Sequence, residues 1–361
     1  MHNQLVHPDN RTGAAAATAV ADQVAPEPTD SRADFAELSR QVRDAGLLAQ
    51  RSRYYTIKIT ATVAALLALT GGAILLGNSW WDLLLGVLFA FVMVQLAFIG
   101  HDAGHRQVSG HRPTNDAIGL VLANLLTGFS FGWWMNKHSR HHAHPNQPGK
   151  DPDIASGALV YTPEQVQGRR GLKRWLTRIQ VVTLLPLLFL EAVNLHVAAV
   201  RDIPRRRRGA FAEAVLLAGH FAIFFVGPFL LLSPIRAALF IAITQAVFGF
   251  YLGGCFLTNH VGMPALDRND RSGFLVDQVV TSRNLRGRKF TGFLFGGLDT
   301  QIEHHLFPTM PRANLRRARE LVRPFCAERS IVYTEESPWH AYHQVLRHLR
   351  TMGAAASAGG N

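Results

Sequence analysis

The sequence predicts an all-α integral membrane protein, with four transmembrane helices paired into two hairpins and a cytoplasmic helical cap. Three observations carry this. Apolar residues make up 48% of the 361, and they are gathered into long runs rather than scattered. Four runs reach the ~20 residues that a helix needs to cross a bilayer. The basic residues behind the formal net charge of +12 collect on one side of these runs, as they do in cytoplasmic segments.

Residues 1–50 read as a cytoplasmic N-terminal segment. Positions 11–30, rich in Ala, Thr, Asp and Pro, have the composition of a disordered stretch. Positions 33–52 suit a short amphipathic helix. No apolar core follows a basic start here, so no signal peptide is expected.

The first span is expected at about 57–77 and the second at about 82–100, separated by Asn78-Ser79-Trp80-Trp81. Paired tryptophans suit a membrane–water interface. The third and fourth are expected at about 211–232 and 236–257, joined by Ser233-Pro234. Such short connections allow only hairpins.

Charge sets the topology. Fifteen Lys or Arg lie between 101 and 209, with Arg205–Arg208 directly before the third span. Basic loops stay in the cytoplasm, which puts the N-terminus, 101–209 and 258–361 there. Two weaker runs, 117–134 and 179–199, are interrupted by Asn124 and Gly128, and by Pro186, Glu191 and Asn194. They are expected to lie in or dip into the cytoplasmic interface. Residues 51–350 then form one membrane domain, and 351–361, mostly Ala, Gly and Ser, a flexible tail.

Some classes fall away. Nothing resembling a nucleic-acid-binding motif accompanies the basic charge. Cys255 and Cys326 form no CxxC pair or disulfide framework.

Seventeen histidines are present, and they cluster. His101 and His105 follow the second span. His138, His141 and His142 follow the first weak run. His260 ends the fourth span, after Asn259. His304 and His305 follow Gln301 in the C-terminal part. Residues i, i+3 and i+4 share a helix face, so each group turns two or three side chains toward one point. Imidazole is a ligand for iron, copper and zinc. Eight imidazoles are too many for one metal, so two metals is the simplest count. Gln301 stands where a ninth ligand would be, as a weak oxygen ligand or a supporting donor. Asp102, Asp299 and Glu303 adjoin the ligands and are candidates to accept their other N–H. His111, His144, His196 and His220 read as interfacial or hydrogen-bonded groups.

The boxes HDAGH at 101–105, HSRHH at 138–142 and QIEHH at 301–305 resemble the three histidine boxes of membrane fatty acid desaturases. The resemblance covers about residues 50–350. The stretch from Gly296 to Pro308 is similar to the front-end branch, where Gln replaces the first His of the third box, and Asn259-His260 also looks like a family feature. The resemblance implies a cytoplasmic di-iron centre and O2-dependent introduction of a cis double bond into a long-chain fatty acyl group linked to CoA, a carrier or a lipid. That chemistry is consistent with the residues, because an unactivated C–H bond calls for an oxidant made from O2 and a redox metal.

Many front-end relatives carry a fused cytochrome b5 with an HPGG motif. Here His7-Pro8 is followed by Asp9-Asn10, so electrons are expected from a separate ferredoxin- or cytochrome-type protein with an NAD(P)H reductase. Arg140, Lys150 and Arg288 are candidates for an anionic head group. A bacterial inner membrane is the expected location. The rival readings are a lipid or alkane hydroxylase or ketolase of the same histidine-box class and, more remotely, a membrane metal transporter, which would place its ligands near the midplane.

Overall fold

The computed structural model describes residues 31–203, 209–266 and 272–358. The chain forms α1 (Ser31–Asp44), α2 (Ser52–Leu76), α3 (Asp82–Gly104), α4 (Arg112–Thr127), α5 (Phe131–Ala143), α6 (Pro163–Gln167), α7 (Gly171–Arg178) and α8 (Gln180–Asp202). There follow α9 (Ala210–Leu231), α10 (Pro234–His260), α11 (Phe274–Val280), α12 (Lys289–Leu294), α13 (Gln301–Leu306), α14 (Arg312–Glu328) and α15 (Pro338–Ala358). One short parallel pairing joins β1 (Asn284–Leu285) to β2 (Glu335–Glu336).

Five helices are long and apolar enough to cross a membrane: α2, α3, α8, α9 and α10. This is an integral membrane protein. Four of the five coincide with the expected spans. The fifth covers the run 179–199, which was expected to be interrupted and interfacial. It is one continuous 23-residue helix, and its most apolar 18 residues have a mean hydropathy of 1.9. Pro186 lies inside it, in the second turn, where it removes one backbone hydrogen bond without ending the helix. Glu191 and Asn194, one turn apart, satisfy each other at 3.2 Å.

Helix α8 runs antiparallel to α10. Leu184 packs with Leu257 and Val261, and His196 meets Gln245 at 3.0 Å. Between them the backbones touch: a Cβ on Gly249 would lie 2.7 Å from the Ala192 nitrogen. Glycine is what permits this approach.

The run 117–134 is broken rather than continuous. Helices α4 and α5 meet at 112°, and the turn at Gly128 has φ +77°. A helix break frees backbone groups that must find other partners. Here His196 Nδ1 lies 2.7 Å from the Gly128 carbonyl oxygen, and His220 Nδ1 lies 2.9 Å from that of Leu125. On the other side of the break, Asn124 Oδ1 accepts from the Phe131 N–H at 3.1 Å. The Glu213 carboxylate accepts from Ser130 Oγ. Helices α8 and α9 thus brace the start of α5.

A second core lies in the cap. Leu38, Val42, Leu275, Ile302, Leu315 and Val322 bury one face each of α1, α11, α13 and α14. Helix α1 covers Ser31–Asp44, where an amphipathic helix was expected over 33–52. The expected flexible tail is corrected: α15 continues to Ala358, and Met352 and Ala356 bury against Val160 and Val166. Small residues allow that close packing, which composition alone mistook for looseness. Positions 11–30, His7-Pro8 and Arg205–Arg208 lie outside the described residues.

Candidate metal centre

The fold draws all eight histidines into one cluster, in which five are buried and His105, His142 and His260 are half-buried. Helix α3 supplies His101 from its last turn, with His105 at its C-cap. Helix α5 supplies His138, His141 and His142. His260 ends α10, and His304 and His305 lie on α13. Ring nitrogens of His101, His105, His138 and His304 lie within 4.8 Å of one another, as do those of His141, His260 and His305. His142 sits between the groups. Its Nε2 is 3.1 Å from that of His138, and its ring stacks on His305 at 4.2 Å between centroids.

The donor set fits metal ions. His101 Nε2, His304 Nε2 and His305 Nε2 are buried without a hydrogen-bond partner among the described residues. Burial, then the neighbouring imidazoles, push His304 and His305 well below the ordinary 6.5. These rings are therefore neutral and present lone pairs. His105 and His138 bring Nε2 atoms to 2.9 Å of each other. Converging imidazole nitrogens are what first-row metals take.

The outward-facing nitrogens are held from behind. His141 Nδ1 is bonded by Asp151 at 3.0 Å, His260 Nδ1 by the Thr281 carbonyl at 2.9 Å, and His305 Nδ1 by Gln278 Oε1 at 2.8 Å. Such partners fix the tautomer and orientation of a ligating ring. Gln301 points into the cluster, with Nε2 2.9 Å from His260 Nε2. Its Oε1 accepts from Asn259 at 2.7 Å.

The three expected carboxylates divide. Asp102 lies beside His101 at 3.4 Å but chiefly pairs with Arg312, at 2.7 Å. Asp299 and Glu303 do not reach a histidine. Asp299 pairs with Arg316 at 2.6 Å. Glu303 points to the far side of α13, accepting from Tyr333 at 2.7 Å and Asn284 at 2.8 Å; burial pushes its carboxyl up to about 7. Helical periodicity explains this, since residue 303 cannot share a face with both 301 and 304–305. Asp151, Gln278 and Thr281 were missed. Asp151-Pro152-Asp153, ten residues past His141, was the one available signal.

Residues 78–337 match the family model described as "Fatty acid desaturase". The chain belongs to the fatty acid desaturase family. It is 31% identical, over 88% of its length, to the Delta(6)-fatty-acid desaturase fat-3 of Caenorhabditis elegans, covering 74% of that protein. It is 29% identical over 90% to the Delta(5) fatty acid desaturase fat-4 of the same organism, covering 74%. It is 28% identical over 91% to the Delta(8)-fatty-acid desaturase of Euglena gracilis, covering 80%. The chain is an enzyme of fatty acyl desaturation.

A cavity of about 340 Å³ opens beside the desaturase's histidines. Its walls include His101, His138, His141 and His260, and its apolar part is built by α3, α8 and α10 through Phe98, Leu184, Leu188, Leu252 and Phe256. This size suits a small-molecule site. The expected head-group cations Arg140, Lys150 and Arg288 are exposed and are not among its lining residues. Lys137 is, paired with Asp153 at 2.6 Å.

Proposed function

We propose that this desaturase binds two iron ions through His101, His105, His138, His141, His142, His260, His304 and His305, and inserts a cis double bond into a long-chain acyl group. The observation that carries this is an apolar cavity whose wall contains four of the eight clustered imidazoles. Bound iron would supply the O2-derived oxidant that an unactivated C–H bond needs. O2 becomes two waters, taking two hydrogens with their electrons from the acyl chain, two electrons from the donor and two protons from solvent.

The chain's own residues position and exclude. Asp151, Thr281 and Gln278 hold three imidazoles in one tautomer. Phe98, Leu252 and Phe256 keep the acyl chain in an apolar channel and keep water from it. The names of the relatives point to a new bond near the carboxyl end, at carbon five, six or eight.

In this reading the hairpins α2–α3 and α9–α10 cross the bilayer. His101 and His260, at their ends, face the cytoplasm together with the cap and both termini. Helix α8 accompanies α10 without adding a crossing, because an even count keeps Arg205–Arg208 with the other basic segments. A cysteine placed at Arg206 should label from the cytoplasmic side only. In this reading the electrons come from a separate ferredoxin- or cytochrome-type donor with an NAD(P)H reductase. The Ala- and Arg-rich composition favours a bacterial inner membrane.

The test is fatty-acid analysis of cells supplied with iron and a reductase system, expressing this protein or its His141→Ala variant. A new unsaturated acyl chain that vanishes in the variant supports the reading and gives the double-bond position. An oxygenated product instead would move the protein to the hydroxylase reading. A chain that binds no iron would end the proposal.

A further inference from the structure

Helix α10 ends at His260, and the last carbonyls of a helix find no partner within it. At this end Arg283 bonds three carbonyls. Its Nη1 donates to that of Thr258 at 2.9 Å and, more weakly, to that of Val261 at 3.4 Å. Its backbone N–H donates to that of Asn259 at 2.8 Å. Two residues earlier, the Thr281 carbonyl is bonded to His260 Nδ1 at 2.9 Å. The stretch 281–283 therefore holds both the backbone that carries His260 and its ring. That ring brings Nε2 to 3.3 Å from His141 Nε2.

The Arg283 side chain is fully buried, at 0% exposure, which is rare for an arginine unless it is paired. Its Nη2 donates to Gln344 Oε1 at 3.0 Å, and its Nε faces the Glu336 carboxylate at 3.5 Å. Gln344 Nε2 in turn donates to Glu336 at 2.6 Å. Glu336 lies on β2, which pairs with β1, and Gln344 lies on α15. A cation at a helix C-terminus is favourable, and a planar guanidinium reaches carbonyls and a carboxylate together, where an ammonium is a single point of charge. Arg283 thus links the end of α10 to β2 and α15, neither of which carries a histidine of the cluster.

We propose that Arg283 is a positioning residue for the metal ion held by His141, His260 and His305. Through the end of α10 it fixes where the His260 nitrogen stands. The inference rests on the two-iron reading above and adds to it a residue that is not itself a ligand and serves one ion of the two. The other group, His101, His105, His138 and His304, is carried by α3, α5 and α13 and takes no member from α10.

The experiment titrates cobalt(II) into the metal-free full-length protein in detergent, against a competing chelator. Cobalt(II) takes imidazole ligands as iron does, and its visible absorption reports each equivalent as it binds. Wild type is compared with Arg283→Lys and with Arg283→Met combined with Glu336→Gln, where the second change keeps a carboxylate from being left unpaired. The expected result in the double variant is one equivalent weakened about 10–100-fold, the usual cost of losing a residue that orients a ligand. Arg283→Lys falls between the double variant and wild type. The other equivalent stays within about twofold, and the absorption lost with the weak one is the absorption lost in His260→Ala. Should only the double variant aggregate, Arg283→Lys decides. Two equivalents bound as in wild type overturn the proposal. So does an equal weakening of both, or aggregation of both variants, since Arg283 would then hold the fold and not one ion. A wild type that binds fewer than two equivalents would instead overturn the two-iron reading.

Discussion

The Nδ1 atom of His141 lies 3.0 Å from a carboxylate oxygen of Asp151, and both side chains are buried. The same carboxylate accepts from the backbone N–H of Asn146 at 2.8 Å and of Asp153 at 2.8 Å. Asp151 thereby ties the loop after α5 to the ring and turns His141 Nε2 toward His260, 3.3 Å away. Asp151→Asn keeps the shape but weakens the acceptor. Loss of such a partner typically costs 10–100-fold in metal affinity. Iron retained per chain against a graded chelator series should fall by about that factor, with activity following. Retention equal to wild type would mean that Asp151 serves only the loop.

The buried pair of Arg312 and Asp102 joins the cap to α3. Arg312 Nη2 also donates to the Phe98 carbonyl at 2.6 Å. Breaking one side of a buried pair costs about 3–5 kcal/mol, because a charge is left without its partner. Arg312→Met should lower the melting temperature strongly, and Asp102→Asn in the same chain should recover part of it. Thermal unfolding in detergent reads both. Additive losses in the double variant would show that the two side chains act independently.

Gly128 admits no side chain. Its φ is +77°, and an added Cβ would collide with His220 Nε2 and His196 Cε1. The break that it forms sets the start of the helix carrying His138, His141 and His142. Gly128→Ala should therefore give little monodisperse protein on size-exclusion chromatography, and iron below wild type in what remains. Gly71→Ala, where a Cβ meets nothing within 4 Å, is the matched control and should behave as wild type.

Metal removal should expose an acid weakness. Burial holds His304 and His305 well below the ordinary 6.5, so the folded chain refuses protons that the unfolded chain accepts. Stability then falls as pH drops below about 6.5 and is fully present above it. Chelator-treated protein should melt progressively lower from pH 7 to pH 5. Added iron should raise the melting temperature at pH 7, as any ligand of the folded state does. A pH-independent melt of the metal-free protein would contradict the neutral, buried state of these rings.

The cluster was legible because its signals are local. Spacings of three and four residues within 101–105, 138–142 and 301–305 announce shared helix faces, and apolar runs announce helices. Long-range partners left no such trace. Nothing near Glu213 in sequence foretells its bond to Ser130, 83 positions away, and Gln278 is joined to His305 only by the fold. Glu303 stood beside ligands in sequence and Asp299 near them, yet the fold turns them to Tyr333 and Arg316. The run 179–199 misled because Pro186, Glu191 and Asn194 were counted as interruptions. Each is accommodated in a continuous helix, Pro186 in its second turn and the other two by bonding each other.

The histidines come from four separated stretches, the last beginning at Gln301. During synthesis the five long apolar helices of the described residues are made before His304 and His305, and these two residues close both nitrogen groups. A chain cut short before residue 304 would lack one imidazole from each of those groups. The histidine cluster is therefore completed only after the apolar helices that carry its other members have been made.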